Sequence, residues 1–201
     1  MTTKERILYE SMKLFSVNGF ESVSIRTIAD EVGVTNSALY KHFKSKQEIF
    51  DAIVEQSKER YLKQCTDAVN AEIRGIDQMK EVCINMYRYQ THDDQIVMFR
   101  RILMIEQFKN SKMADIYKEF FIDIPMLHQQ KIFEELIRQG LMKNRNPKVL
   151  SMELYAPFHM YHAVKHDEAE LVQLFEQHAE YFFENNIIHT GRKRKWKIIR
   201  L

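Results

Sequence analysis

The sequence predicts an all-α protein, on three observations. Apolar residues recur every three or four positions along most of the chain, whereas no stretch alternates with period two and β-branched enrichment. The 201 residues include only five glycines and three prolines. The glycines fall at the ends of helix-like segments, where a C-terminal cap requires φ > 0: Gly19, Gly33, Gly75, Gly140 and Gly191.

The first two helices have clear start and stop signals. A capping box, Thr2-x-x-Glu5, opens a helix that is predicted to reach about Asn18. Ser24 then caps a short helix, which Gly33 ends. The spacing of Ile28, Ala29 and Val32 predicts that one side of this second helix faces a core.

Two further helices follow closely. Thr35 caps a third, very short helix, and Ser45-x-x-Glu48 is a second capping box. The second box opens a long amphipathic helix predicted to run to about Ile73. Two short helices joined by a tight glycine turn form a helix-turn-helix.

The third helix has two contrasting sides. Leu39 and Phe43 are spaced to close a three-helix core, whereas Asn36, Ser37, Tyr40 and Lys41 lie on the other side, which could enter a DNA major groove. Basic residues concentrate near its end, at Lys41, His42, Lys44 and Lys46. They predict a local positive field where phosphates would lie.

The stretch GFESVSIRTIADEVGVTNSALYKHFKSKQEIF resembles the DNA-binding signature of TetR-family transcriptional regulators. The resemblance covers about a quarter of the chain. It implies a homodimer of two-domain subunits that binds operator DNA and is released when an effector binds to the C-terminal domain.

The resemblance also implies individual DNA contacts. Arg26 would contact a base or a phosphate, and Tyr40, His42 and Lys46 would contact phosphates; the alternatives are a solvated Arg26 and a core Tyr40. Ser24 and Thr35 cap helices on any interpretation, and their hydroxyls could also hold phosphates. The predicted set is Ser24, Arg26, Thr35, Asn36, Ser37, Tyr40, Lys41, His42 and Lys46.

Beyond Gly75 the pattern predicts an effector and dimer domain made of helices. They span about 77–91, 94–109, 112–139 with a kink at Pro125, 147–166 beginning at Pro147, and 168–185. Apolar and histidine stripes on the last two helices fit half of a four-helix bundle about a two-fold axis. The predicted interface is Tyr155, His159, His166, Leu171, Leu174, Phe175, His178 and Phe182.

Three features could bind an effector or a metal. The segment VMFRRILMIEQF is apolar nearly all round, and a helical wheel buries Arg101 there, paired with a protein carboxylate or an anionic effector. Pro157 lies within a helix, and either marks a bend beside a pocket or is a tolerated kink. The histidines at 159, 162 and 166 share a narrow arc, where interface hydrogen bonding is favoured over zinc because no cysteine completes a site. The predicted effector set is Met86, Arg101, Met104, Phe108, Phe121, Phe158 and His162.

Composition limits the other possibilities. No membrane-length apolar run, export signal, catalytic motif or cofactor motif is present, and the isolated Cys65 and Cys83 suit a reducing cytoplasm. We therefore expect a cytoplasmic, non-enzymatic protein without a cofactor or a membrane partner.

The sequence predicts two domains and a tail. Residues 1–46 form the DNA-binding domain, residues 47–190 form the effector-binding and dimerisation domain, and residues 191–201 form a basic tail. That tail is either a solvated terminus, a non-specific DNA contact or a segment packed on a neighbour.

Overall fold

A computed structural model describes residues 1–70, 75–162 and 168–188, without the side chains of 65–70, 161, 162, 168 and 169. Ten α-helices occur in these ranges: α1 Thr3–Asn18, α2 Ile25–Val32, α3 Asn36–Tyr40, α4 Lys46–Asn70, α5 Ile76–His92, α6 Asp94–Glu106, α7 Ser111–Lys118, α8 Ile124–Arg138, α9 Pro147–His162 and α10 Glu168–Asn186. The extended pairing of the described residues is an isolated antiparallel bridge between Met142 and Ile187. The predicted all-α fold is confirmed.

The caps predicted for the first helices are present. Both halves of the Thr2–Glu5 capping box form, and Gly33 adopts the left-handed conformation at φ 74°. At the start of α4, Ser45 Oγ accepts from the backbone N–H of Glu48 at 3.1 Å. The Glu48 carboxylate accepts from the Lys44 N–H at 2.6 Å rather than from that of the cap residue.

The chain divides into two compact units, of which the first comprises residues 1–64 and 91–121. In it α1 packs against α2 and α6, and α2 packs against α3. The interior between the first three helices is apolar, with Ile7, Phe15, Ile28 and Leu39 fully buried. This core holds the three helices together, and the contact between α1 and α6 joins them to the remainder of the first unit.

Phe20 occupies the turn between α1 and α2 and is 5% exposed. Its ring contacts those of Phe15 and Phe50, with centroids 5.2 and 5.3 Å away. Its backbone N–H donates to the buried carboxylate of Glu106 on α6 at 2.9 Å. The turn is therefore tied to α4 through ring packing and to α6 through a hydrogen bond.

The predicted single helix over 112–139 is wrong in detail. It is divided into α7, a π-helical turn at Glu119–Asp123, and α8, with Pro125 in the first turn of α8. Proline has no N–H to donate to the carbonyl four residues earlier, so the backbone widens before it rather than kinking at it. The π turn places Phe120 and Phe121 in the interior, where Phe120 contacts Phe99.

The second unit comprises residues 65–90 and 122–201. Within its described part, α8 packs against α9 and α9 packs against α10. One buried cluster includes Phe133, Leu136, Leu154 and Phe183, and is packed by the partly exposed Cys83. Burial raises the pKa of the Cys83 thiol to about 12.

A second cluster of the same unit is aromatic, with Tyr87, Tyr155, Phe158 and Phe175 buried together. The rings of Tyr87 and Phe175 stack at 3.9 Å, and Tyr155 stacks on Phe158 at 4.8 Å. The Tyr155 hydroxyl donates to Gln90 Oε1 at 3.3 Å. A buried hydroxyl requires a hydrogen-bond partner, and Gln90 provides one for Tyr155. Gln90 is itself buried, and its bond stabilises the aromatic cluster.

Candidate nucleic-acid interface

The two sides of α3 differ as the sequence predicts. Leu39 is fully buried and Phe43, just beyond the helix, is 2% exposed. Asn36, Ser37 and Lys41 are exposed, and Tyr40 is 52% exposed. Tyr40 is therefore not a core residue, and its hydroxyl is accessible to a ligand together with the polar side chains of α3.

Ser24 and Thr35 are helix caps. Ser24 Oγ accepts from the Thr27 N–H at 3.1 Å, and Thr35 Oγ1 accepts from the Ala38 N–H at 3.2 Å. Thr35 Oγ1 also lies 3.0 Å from the Ser37 hydroxyl. Both cap residues are exposed. They therefore remain accessible to a ligand while they cap α2 and α3.

Most of the predicted cations are exposed. Arg26 has a side chain 82% exposed, and its Nε lies 4.0 Å from Asp30, an arrangement that stabilises little in water. Lys41, His42 and Lys44 are also exposed. These side chains lie at the surface, where a phosphate backbone could replace water.

The ammonium of Lys46, unlike a freely solvated phosphate contact, has partners within the protein. Nζ donates to the carbonyl oxygens of Phe20 at 2.7 Å and Glu21 at 3.2 Å. It also lies 4.4 Å from the centre of the Phe20 ring. Sequence reasoning predicted a phosphate contact and missed this structural role, which no local signal indicates because Phe20 is 26 residues away.

The predicted dimer residues fall into different environments. Tyr155, Phe175 and Phe182 are at most 6% exposed and pack inside the second unit. The subunit itself covers most of their surface, and their assignment to a contact with a second chain stays a prediction. Leu174 is 40% exposed, Leu171 and His159 are partly buried, and His178 Nε2 donates to the carbonyl oxygen of Glu153 at 3.1 Å. His166 lies outside the described residues.

The last two helices also carry exposed apolar residues, of which Leu174 alone belongs to the predicted interface. Their positions repeat at helical spacing, so the signal was present in the sequence. On α9 they are Val149 at 56%, Met152 at 57% and Met160 at 63% exposure. On α10 they are Leu174 and Tyr181, at 40% and 61%. We call these five residues the exposed apolar face.

Four of the predicted effector residues belong to the first unit. Arg101 is exposed, whereas the adjacent Arg100 is 4% exposed and lies over the Phe121 ring at 5.7 Å. The prediction that Arg101 is buried is thus wrong by one position, a rotation of 100° about the helix axis. Phe108 is 89% exposed because α6 ends at Glu106 and Phe108 lies in the following turn. Met104 is partly buried, and Phe121 is buried.

The other three belong to the second unit. Phe158 is in its aromatic cluster, and Met86 is partly buried. The side chain of His162 lies outside the description. The set of seven as one effector site stays a prediction.

A cavity of about 300 Å³ lies in the first unit. It is lined by Met1, Glu5, Tyr9, Met12, Gln56 and Gln95. The lining mixes apolar, phenol, amide and carboxylate groups and contains none of the predicted effector residues. Among the described residues, no group of three or more His, Cys, Asp or Glu side chains could hold a metal ion, and no helix is long and apolar enough to cross a membrane.

Comparisons with known proteins agree with this arrangement. The model of the tetR family of bacterial regulatory proteins matches residues 7–53. The HTH-type transcriptional regulator UidR of Escherichia coli K12 is 28% identical over 130 residues, which are 65% of this chain. The alignment spans 64% of the length of that curated relative.

Solved structures of regulators share the fold. SmeT in its complex with triclosan superimposes with a TM-score of 0.70 at 18% identity, over 98% of this chain and 99% of that one. SmeT is the repressor of a multidrug efflux pump of Stenotrophomonas maltophilia. A transcriptional regulator from Aquifex aeolicus VF5 superimposes with a TM-score of 0.72 at 19% identity, over 90% and 100% of the two chains.

The helix-turn-helix, the helical second half and these relatives lead to one assignment. The matched family and the curated relative are transcriptional regulators, which agrees with the expectation that the chain is not an enzyme. Residues 7–53 match the DNA-binding domain of the tetR family of bacterial regulatory proteins, and the chain as a whole is similar to TetR-family transcriptional regulators.

Proposed function

We propose that this protein is a homodimeric repressor that binds operator DNA and is released by a small, mainly apolar effector. The observation that carries the proposal is the two-sided α3, whose apolar side is buried while Asn36, Ser37, Tyr40 and Lys41 are exposed. A helix-turn-helix that presents its second helix in this way can enter a major groove. We place its action in the cytoplasm, where operator DNA is accessible.

Within this proposal the exposed side chains have different tasks. Asn36 and Ser37 contact base edges, because amide and hydroxyl groups can read the pattern of donors and acceptors in the major groove. Tyr40, Lys41 and His42 contact phosphates, which position the protein and make binding depend on salt. Ser24, Arg26 and Thr35 flank the same surface and add further backbone contacts.

The exposed apolar face supports a homodimer. Val149, Met152, Met160, Leu174 and Tyr181 are all at least 40% exposed, and a second copy related by a two-fold axis would cover the same five residues. Two antiparallel helices from each copy would then form a four-helix bundle. This face replaces the buried rings in the predicted interface.

An effector between helices of the C-terminal region completes the proposal. Met104 and Phe121 of the first unit are partly or fully buried and apolar, and so are Met86 and Phe158 of the second. Apolar side chains of this kind form adaptable binding sites between helices. The related fold of SmeT binds triclosan, which supports an effector of similar polarity. Residues 1–46 would carry DNA binding, and residues 47–190 would carry the effector and dimer functions.

Selection of bound duplexes from a random library tests DNA recognition. We expect a palindromic or near-palindromic site, with half-sites about one helical turn (~34–36 Å) or somewhat more apart. The matched comparison is the Asn36→Ala protein, which should select an altered half-site. Recovery of duplexes without two-fold symmetry would contradict the proposed function.

A further inference from the structure

The carboxylate of Glu106 is buried at the point where α6 meets the turn after α1. Glu106 is 3% exposed, and its Oε1 accepts the backbone N–H of Phe20 at 2.9 Å. Hydrogen bonds to charged groups are stronger than neutral ones, and a buried group that loses its partner retains the cost of desolvation. The bond is therefore suited to hold one arrangement of this turn on α6.

The backbone of Phe20 is held from a second direction. Its carbonyl oxygen accepts from the ammonium of Lys46, the first residue of α4. One residue in the α1–α2 turn is thus bonded to both α4 and α6. A rotation of the helix-turn-helix on these two helices would have to break at least one of these charged hydrogen bonds.

Gly19 leaves the space that the carboxylate needs. A Cβ built on Gly19 would lie 2.8 Å from Glu106 Oε1, and Gly19 has φ +81°. Any side chain there would displace the carboxylate from the N–H of Phe20 as well as straining the backbone. The carboxylate of Glu106 therefore lies so close to the turn that a side chain at position 19 would collide with it.

We propose that Glu106 is a positioning residue for operator binding, and that it acts through the Phe20 N–H to fix the orientation of α1–α3 on α6. The inference rests on the proposed function, because orientation matters only if a dimer must place two recognition helices on one symmetric site. A purely structural residue would lower the folded fraction and weaken binding to every duplex alike. A positioning residue weakens binding to the complete site more than binding to a single half-site, which one recognition helix can occupy.

The test measures the ratio of the affinities for a complete operator and a half-site duplex, using the full chain and the site that wild type selects. Glu106→Ala should reduce this ratio at least about tenfold, the factor that corresponds to a weak charged hydrogen bond. Glu106→Gln keeps an oxygen acceptor and should stay within about threefold of wild type. Glu55→Ala removes an exposed carboxylate of α4 and should leave the ratio unchanged.

A shorter side chain covers the case in which Glu106→Ala does not fold. Glu106→Asp keeps the charge but withdraws the carboxylate by roughly 1.5 Å, so it should reduce the ratio in the same direction. An unchanged ratio in the folded variants, or equal losses on both duplexes, would overturn the inference. A Glu106→Gln protein as impaired as Glu106→Ala would overturn it as well. Absence of any selected site for wild type would instead overturn the proposed function.

Discussion

The ammonium of Lys46 lies 2.7 Å from the carbonyl oxygen of Phe20 and 4.4 Å from the centre of its ring. The first residue of α4 is thereby fastened to the turn between α1 and α2. A lysine for which the sequence predicts a phosphate contact thus makes stabilising contacts within the protein before any DNA is present. Replacing it should change both folding and binding.

Lys46→Ala should lower the free energy of unfolding by roughly 1 kcal/mol, because two hydrogen bonds from a charged but partly solvated group are lost. Lys44→Ala is the matched control, since that lysine is exposed, and it should stay within about 0.5 kcal/mol of wild type. Urea denaturation of both variants measures the difference. Equal stabilities would show that the bonds to Phe20 and Glu21 contribute nothing.

Gly19→Ala should destabilise the protein more than Gly33→Ala. Both glycines have positive φ, but nothing lies within 4 Å of a Cβ at Gly33, whereas a Cβ at Gly19 meets Glu106. Gly33→Ala should cost about 1–2 kcal/mol for the left-handed conformation. Gly19→Ala should cost roughly 3 kcal/mol or more, because strain and a displaced buried carboxylate add. Thermal unfolding gives the order, and a reversed order would contradict the close approach.

Leu174→Glu should dissociate the dimer and leave the subunit folded. The residue is 40% exposed, so the carboxylate stays solvated in a monomer but is buried without a partner in a bundle. The neighbouring Phe175→Asp should instead unfold the second unit, at a cost of about 3–5 kcal/mol, since that ring is stacked on Tyr87. Sedimentation and circular dichroism distinguish these outcomes. A wild-type monomer at micromolar concentration would refute the proposed dimer.

Stability should fall as the pH drops below about 6.5, partly because of His128. Burial lowers the pKa of His128 from its ordinary value of 6.5, and Lys131 lowers it further. The unfolded chain then binds a proton at a higher pH than the folded protein does. Folding stability therefore decreases from pH 6.5 down to the folded pKa, and this contribution is constant below it. His128→Asn should flatten the dependence in denaturation measured between pH 8 and pH 5, and an unchanged slope would exclude this role.

Ser37→Ala and Lys41→Ala should affect DNA binding in different ways. Loss of Ser37 should change which base pairs are preferred, because we propose that its exposed hydroxyl reads base edges. Loss of Lys41 should weaken binding to all duplexes and reduce the salt dependence by about one phosphate contact. Titrations at several salt concentrations separate the two effects. A change of base preference in Lys41→Ala would contradict its assignment to the backbone.

Local signals were sufficient to predict the helix-turn-helix. Thr2, Ser24 and Thr35 make bonds to residues three positions away, and such caps are encoded in short segments. The exposed side of α3 followed from the same local pattern. The family resemblance then implied DNA contacts for Arg26, Tyr40, His42 and Lys46, and the structure shows these side chains at the surface apart from the partly buried Lys46.

The remaining errors concern contacts between distant segments and the choice among neighbouring residues. The bond from Phe20 to Glu106 joins residues 86 positions apart, and no periodicity in one sequence indicates it. On α6 and α10 apolar residues lie on more than one side, so a helical wheel could not separate Arg100 from Arg101 or Leu174 from Phe175. Tertiary packing decides which of two adjacent residues is buried.

Because burial raises the pKa of Cys83, chemical labelling of this thiol can measure local opening of the structure around it. Burial raises the pKa of this thiol to about 12, so the reactive thiolate at pH 8 is scarcer than in an exposed cysteine. In a Cys65→Ser background, the rate of alkylation would measure how often the surroundings of Cys83 open. An effector that tightens the helices around α5 would slow the labelling, so candidate compounds could be screened before any operator is known.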